Sequence, residues 1–430
     1  MSKSEKEQKS ISSPLSTGGS GTFFEQHVGA YLLTLLLVRG IPPILLDCFV
    51  AEVSLQNERL GFHSDDFLVV GYCGNGAQRR LFGHVKKSFT VSASDKDCKG
   101  AITDCWMDFT GTQFSPSTDK FAIVTLRGST VLLEYFGGLL ECARTSNDAK
   151  EFQERLSTKG LLNKKSIDYY NEIKTIVSAS AGKEVDVDEL WPLLRVLYLL
   201  SLDLNTSTKQ HESTAKNLLA HTCRVDDPVD VSGATWNSLL NEVGFGMGTA
   251  RTFKYETLRK ELRDKHSPIQ HQDHVALEQL KRHSRSILNS IRTSLGGTRN
   301  IHLNRRRILQ KVLDQLRERK VVLISGTAGS GKSGIAKEVL TALNNDYFSF
   351  CFRADEFARP TFDETLKQCN VTVGAETLGK ILFAQDRKIL LVESIERLLE
   401  KSVRDAFSDL LVLVREDPTW QLMLTCRDYS

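Results

Sequence analysis

The sequence has no C-x-x-C pair, no apolar run long enough to cross a bilayer, no evident internal repeat and almost no net charge. The cysteines Cys48, Cys73, Cys98, Cys105, Cys142, Cys223, Cys351, Cys369 and Cys426 are odd in number and scattered. That spacing argues against a zinc knuckle or a disulfide frame and reads as free thiols in a reducing cytoplasm. The apolar run from Tyr31 to Val38 is cut by Arg39, Gly40, Pro42 and Pro43. It falls short of the ~20 residues that a spanning helix needs, so no membrane partner is expected. The first twenty residues are polar and rich in Ser, Gly and Lys, unlike a secretory leader. A formal net charge of +3 is too mild to argue for nucleic acid, so a DNA-binding case must rest on local patches.

What is present is an ordinary globular balance: 430 residues, 40% hydrophobic and 25% charged, enough chain for two or three domains. One stretch organises the reading. Gly326-Thr327-Ala328-Gly329-Ser330-Gly331-Lys332-Ser333 fits the P-loop pattern G-x-x-x-x-G-K-[ST]. The apolar run Val321–Ile324 before it predicts a strand, and Ile335, Val339, Leu340 and Leu343 after it are spaced as one helix face. Strand, glycine loop and helix are what a phosphate cradle requires. Backbone N–H groups turn inward, the helix N-terminus adds partial positive charge, Lys332 reaches the β- and γ-phosphates and Ser333 sits on Mg²⁺.

A P-loop needs an acid on a neighbouring strand to help hold the metal. Ile389-Leu390-Leu391-Val392-Glu393 is an apolar run closed by a carboxylate, with Glu396 three residues on. Asp is the usual first acid, so Glu393 departs from the pattern. Either carboxylate binds the metal while the other polarises the attacking water. Gln421–Arg427 predicts a further strand, whose terminal Arg427 would sense the γ-phosphate.

The Walker-A loop, the LLVESIE stretch, the strand ending in TCRDYS and the upstream Ile301-His302-Leu303-Asn304-Arg305 together resemble a STAND-type NTPase of bacterial antiviral defence, over roughly residues 300 to 430. The resemblance implies ATP and Mg²⁺ as cofactors and places His302 and Arg305 near the adenine. It also implies a homo-oligomer on activation, and a phage-protein trigger recognised by a region beyond the last residue here. A last core strand, a helical lid and a winged-helix element would follow Arg427, and three residues cannot build them. The expectation is therefore an incomplete NTPase core with weak ATP binding, an unpaired sheet edge, no triggered assembly and a tendency to aggregate.

The N-terminal part predicts the order αβββαβ: a helix Phe23–Val38, strands Ile44–Val53, Phe67–Gly71 and Arg80–Val91, a helix Asp95–Phe109 and a strand Phe121–Leu126. Glu25 lies on the first helix, Asp66 opens the second strand, and alternation puts His84 and Lys86 on one face of the third. This resembles the PD-(D/E)xK nuclease core, most of all the double-strand DNA endonuclease domain of CBASS and antiviral STAND effectors, as does the opening Thr17–Glu25. Carboxylates would hold Mg²⁺, which activates water and steadies the leaving oxygen. The lysine would stabilise the charged transition state. Arg79, Arg80, Lys86 and Lys87 would attract the DNA phosphates, and Asp65 is the first substitute if Asp66 is misplaced. His84 stands where the family has Glu or Gln. As a nitrogen ligand it shifts the expected metal preference towards Mn²⁺.

The expected fold is α/β. A flexible tail (1–21) leads into a restriction-endonuclease-like αβββαβ domain (22–130). A helical connector (131–296) and an incomplete P-loop domain with a helix-flanked parallel sheet (297–430) follow. The functional expectation is a cytoplasmic antiphage effector whose ATP switch controls a DNA endonuclease. Two rivals stand beside it: an ATP-driven assembly protein with an inactive N-terminal module, and a restriction-type NTPase stimulated by DNA.

Overall fold

The computed structural model describes residues 19–428, apart from 47, 57–59, 75, 127, 205–207, 270, 296–300, 303–304, 344–346, 384, 386, 400–404 and 418. Two principal sheets carry the chain. The first is mixed, in the order β5-β4-β3-β2-β1-β6. Its strands are β1 (Cys48–Leu55), β2 (Phe67–Cys73), β3 (Gln78–Lys86), β4 (Asp119–Thr125), β5 (Leu197–Ser201) and β6 (Thr252–Lys254). A two-stranded ribbon, β7 (Ser294–Leu295) with β8 (Ile301–His302), leads to the second sheet. That sheet is parallel, in the order β10-β11-β12-β9, from β9 (Val321–Gly326), β10 (Phe348–Arg353), β11 (Lys388–Glu393) and β12 (Trp420–Arg427).

The expected αβββαβ order is present from the helix Gly19–Val38 through β4. Residues 19–21 of the expected tail already belong to that helix, and residues 1–18 lie outside the described residues. Its apolar run Leu32–Val38 is enclosed on all sides. It packs on β1 and β3 and under the helices Gln210–Thr222 and Pro228–Thr249. A helix apolar all round is here an interior element, each buried leucine contributing roughly 2 kcal/mol.

The helical connector needs correction at two points. Leu197–Ser201, inside the stretch expected to be helical, is β5 and extends the sheet beside β4. Thr252–Lys254 is β6 and closes the other edge against β1. The helices of this stretch build the two cores of the first sheet. Phe67, Val69, Leu81 and Val85 face the core that holds Trp236, Leu239 and Leu218. Leu68, Val70, Phe82 and Ile123 face the core that holds Ile102, Ile173 and Leu193. Alternation along β2 and β3 divides the residues between the two sides. The connector's helical faces therefore had a sheet to cover, and the short β-branched-poor LYLLS segment carried no strand signal of its own.

Cys48 and Cys73 are also corrected. They are register partners across β1 and β2 and form a disulfide with a 2.15 Å S–S distance, 25 residues apart in sequence. Antiparallel pairing, invisible in spacing, brings them together. The other seven cysteines are free.

In the parallel sheet, successive residues likewise serve opposite cores. Cys351, Ile389, Leu391 and Met423 pack with the helices Arg306–Glu318 and Lys332–Leu343. Phe350, Phe352, Leu390, Val392 and Leu422 pack on the other side. β9 is an edge strand, and its outward residues Val321 and Leu323 are 50% and 56% exposed. Polar contacts bind the halves: Arg317 pairs with Glu141 at 2.8 Å, and Gln385 donates to the Ile41 carbonyl at 2.6 Å. Among the described residues no helix is long and apolar enough to cross a membrane.

Candidate functional site

Phe67 of β2 pairs with Gly83 of β3, so Asp66, one residue before Phe67, falls beside His84 and Val85. The Val85 N–H donates to Asp66 Oδ2 at 2.6 Å, and Lys86 Nζ lies 3.7 Å from the same oxygen. Asp65, Asp66 and His84 present ligand atoms that all lie within 4.8 Å of one another. His84 is 2% exposed, and its Nε2 has no hydrogen-bond partner among the described residues. A buried imidazole nitrogen beside two carboxylates is costly if left unmade, and a divalent cation would satisfy it. Two oxygens and a nitrogen suit Mn²⁺ better than Mg²⁺, which favours oxygen. The residues present thus fit a metal.

The electrostatics agree with a cation-accepting cluster. Burial first, then the Asp66 charge, raise Glu25 from its ordinary value against the pull of Lys86. Burial raises Asp66 although Lys86 and the Val85 amide oppose it. Burial, with Lys86 second, brings His84 down to about 4, so its imidazole is neutral near pH 7 and its lone pair is available. Glu25, Asp66, His84 and Lys86 are thus brought into one electrostatic neighbourhood from a helix, the bend before β2 and strand β3, with Asp65 beside Asp66.

Two acids of the helix Lys96–Thr110 were missed. Burial, then Asp65, push Asp104 up to about 6, which puts it within the field of the cluster. Asp108 is buried and accepts from the backbone N–H of His63 and of Ser64, both at 2.8 Å. Those bonds fix the loop that delivers Asp65 and Asp66. The signal was an i, i+4 pair of carboxylates on a helix whose neighbours Ile102, Cys105 and Trp106 are apolar. Arg80 departs from its expected role: it is bound to Asp119, with Nε 3.1 Å from Oδ1, and to the Gln113 carbonyl. It holds the sheet rather than facing solvent as a phosphate ligand.

At the second sheet, Gly329 and Gly331 take φ of 75° and 87°, a region open to glycine that lets the loop Gly326–Ser333 curl. Thr327, Ala328 and Ser330 are exposed along it, and Ser333 lies in the first turn of the helix Lys332–Leu343. Lys332 Nζ donates to the carbonyls of Gly326 at 2.7 Å and Thr327 at 2.8 Å, folded onto its own loop. Arg305 pairs with Glu338 at 2.9 Å, and its guanidinium lies 3.1 Å from where a Gly331 Cβ would stand. His302 is in β8, opposite Ser294.

Glu393 ends β11, and β12 lies between it and β9. Arg427 is the register partner of Gly326, beside the loop. Beyond Glu393 the left-handed Ser394 (φ 62°) turns the chain back, and Ser394 N–H donates to Thr425 Oγ1 at 2.8 Å. The turn buries Glu396 against Arg427, with Arg427 Nε 3.3 Å from Glu396 Oε1. The two residues expected to act separately on water and phosphate are paired with each other. Their spacing of 31 residues concealed this. In an open α/β sheet, ligands bind beyond the carboxyl ends of the strands, the end where Gly326, Glu393 and Arg427 lie.

No family model matches the chain, and no curated protein matches it. Among solved structures, it is similar to the Acinetobacter baumannii Cap4 SAVED/CARF-domain containing receptor with the cyclic trinucleotide 3'3'3'-cAAA. That match has 11% identity and a TM-score of 0.32, over 87% of this chain and 67% of that one. The Moraxella osloensis Cap4 SAVED/CARF-domain containing receptor matches at 11% identity and a TM-score of 0.30, over 81% and 67%. Likenesses of this strength carry no inference for this chain. What the fold itself defines is a mixed α/β protein with a mixed sheet and a helix-flanked parallel sheet.

Proposed function

We propose that the chain is a metal-dependent DNA endonuclease governed by an ATP-binding switch, acting as an antiphage effector. The observation that carries the nuclease reading is the convergence of Asp65, Asp66 and His84, whose Nε2 has no hydrogen-bond partner among the described residues, with Lys86 at 3.7 Å from Asp66. Glu25, Asp66 and His84, joined by Asp65, would hold the cation. A divalent cation in that position supplies a water nucleophile and charge neutralisation at the scissile phosphate. The Val85 amide fixes the Asp66 carboxylate, and the neutral His84 keeps a lone pair available at physiological pH. Lys86, tethered to Asp66, offers its ammonium to the developing phosphate charge.

The ATP reading rests on the positive-φ glycine loop between β9 and its helix, at the carboxyl end of a parallel sheet. On binding, Lys332 would exchange two backbone carbonyls for phosphate oxygens, and Ser333 and Glu393 would bear on Mg²⁺. The Glu396–Arg427 pair would open or shift as Arg427 turns to the γ-phosphate, a conversion of nucleotide state into β12 geometry. The antiphage role, the double-stranded DNA substrate and ATP-dependent homo-oligomerisation rest on the resemblance to antiviral STAND effectors. The test is conversion of supercoiled plasmid by the purified chain with Mn²⁺ or Mg²⁺ and ATP. Nicking or linearisation should disappear in Asp66→Ala and Lys86→Ala, with ATP binding retained in both. Cutting that survives in Asp66→Ala would place the centre elsewhere.

A further inference from the structure

A second group of ligating atoms lies in the half of the chain that carries the P-loop, made of residues that belong to neither site above. His283 is on the helix His271–Ser290, Glu356 is in the 3₁₀ turn Ala354–Phe357 after β10, and Cys369 caps the helix Phe362–Gln368. His283 Nε2 stands 3.3 Å from Glu356 Oε2 and 3.5 Å from Cys369 Sγ. All three ligand atoms lie within 4.8 Å of one another. We propose that His283, Glu356 and Cys369 form a zinc site that clamps the helix His271–Ser290 to the chain following β10.

The two separations from His283 Nε2 are those a tetrahedral ion imposes. Zn–N and Zn–O bonds of about 2.0–2.2 Å and a Zn–S bond of about 2.3 Å, opened to roughly 109°, put nitrogen about 3.3 Å from oxygen and about 3.5 Å from sulfur. Hydrogen bonding alone serves the trio poorly. Protonated at Nε2, the imidazole has one hydrogen for two neighbours. Unprotonated there, it can accept from the thiol but turns a lone pair towards the carboxylate. A cation in the triangle satisfies all three atoms at once.

The donor types select the ion. A thiolate and an imidazole with one carboxylate suit Zn²⁺ and disfavour Mg²⁺ and Ca²⁺. Glu356 Oε2 is steadied by the Arg353 N–H at 2.8 Å, the kind of outer support that metal-ligating carboxylates receive. The side chains of His283 and Glu356 are partly exposed, which leaves a path for the ion and room for a water as fourth ligand. His283 also packs on Phe352 of β10, with ring centroids 5.5 Å apart, so the clamp would bear on the core behind β10.

The probe is Co²⁺, titrated into the full chain after chelator treatment and followed by absorbance. The expected result is about one equivalent with intense tetrahedral d–d bands and a thiolate-to-cobalt charge-transfer band, both bleached by Zn²⁺. The charge-transfer band should vanish in Cys369→Ser, and the tetrahedral bands should weaken in Glu356→Gln. Both should persist in Asp66→Ala, which separates this site from the proposed nuclease centre. In parallel, Zn²⁺ should raise the unfolding temperature of the wild-type chain but not of Cys369→Ser. Absence of a charge-transfer band in the wild type at saturating Co²⁺ overturns the proposal, as does a band of equal strength in Cys369→Ser.

Discussion

His84 and Asp104, at the Asp65–Asp66–His84 cluster, titrate in opposite senses, so acid should expose the cluster's construction. Burial brings His84 down to about 4, against a reference value of about 6.5 in an unfolded chain. As pH falls from about 6.5 towards about 4, the unfolded chain takes up a proton that the native state refuses, and stability is lost. A shift of about 2.5 units at about 1.36 kcal/mol each gives a loss of about 3 kcal/mol. Asp104 works the other way. Burial and Asp65 raise it to about 6, so its contribution is present at low pH and is lost as pH rises through about 6. A shift of about 2 units would give about 3 kcal/mol in a sealed site. Asp104 is only half-buried, and solvent screening cuts this to about 1–1.5 kcal/mol. Between about pH 4 and 6.5 the His84 slope opposes that of Asp104, to which Glu25 and Asp66, also raised by burial, add. Urea unfolding of the metal-free chain across that range measures them. Asp104→Asn should steepen the gain of stability with rising pH, and His84→Gln should flatten or reverse it. Parallel profiles for the wild type and His84→Gln would refute the assignment of a buried, uncharged imidazole.

Three further outcomes follow from the contacts. Lys332→Ala removes a charge-assisted phosphate contact of about 1.5–3 kcal/mol and should weaken ATP binding roughly 10- to 100-fold by calorimetry, with little effect on stability because its resting bonds are to loop carbonyls. Asp108→Ala leaves the His63 and Ser64 amides without their acceptor, so a loss of about 2–4 kcal/mol in unfolding free energy is expected, with weakened Mn²⁺ binding through the displaced Asp65–Asp66 loop. Glu396→Gln frees Arg427 from its ion pair and should alter ATP turnover with unchanged nuclease metal binding, read by phosphate release.

Local pattern made much of this architecture legible. Three strands stand where the apolar runs near Val321, Ile389 and Gln421 predicted them, because a short continuous apolar run is a local signal. Asp66 and Lys86 could be picked out because strand alternation is a local property. The unseen features depend on pairing at a distance. LYLLS becomes β5 only because β4 offers an edge. Cys48 meets Cys73 through register, and Glu396 meets Arg427 through the left-handed turn at Ser394. Asp104 and Asp108 gain their meaning from the helix–sheet contact that brings them to the Asp65–Asp66 loop. Arg80 was misjudged for the same reason: a basic strand residue looks free until Asp119, 39 residues on, is laid beside it.

The central claim is that Asp65, Asp66 and His84, with Glu25 and Lys86, form a divalent-metal centre. Depletion of the free Mn²⁺ electron paramagnetic resonance signal by the chain measures it directly, with Cys369→Ser run alongside to subtract the cysteine-containing site. The account predicts saturable Mn²⁺ binding by the wild type, weakened at least 10-fold in Asp66→Ala and in His84→Ala, with a circular dichroism spectrum matching the wild type. No Mn²⁺ binding by the wild type, or equal binding by folded Asp66→Ala, would contradict it.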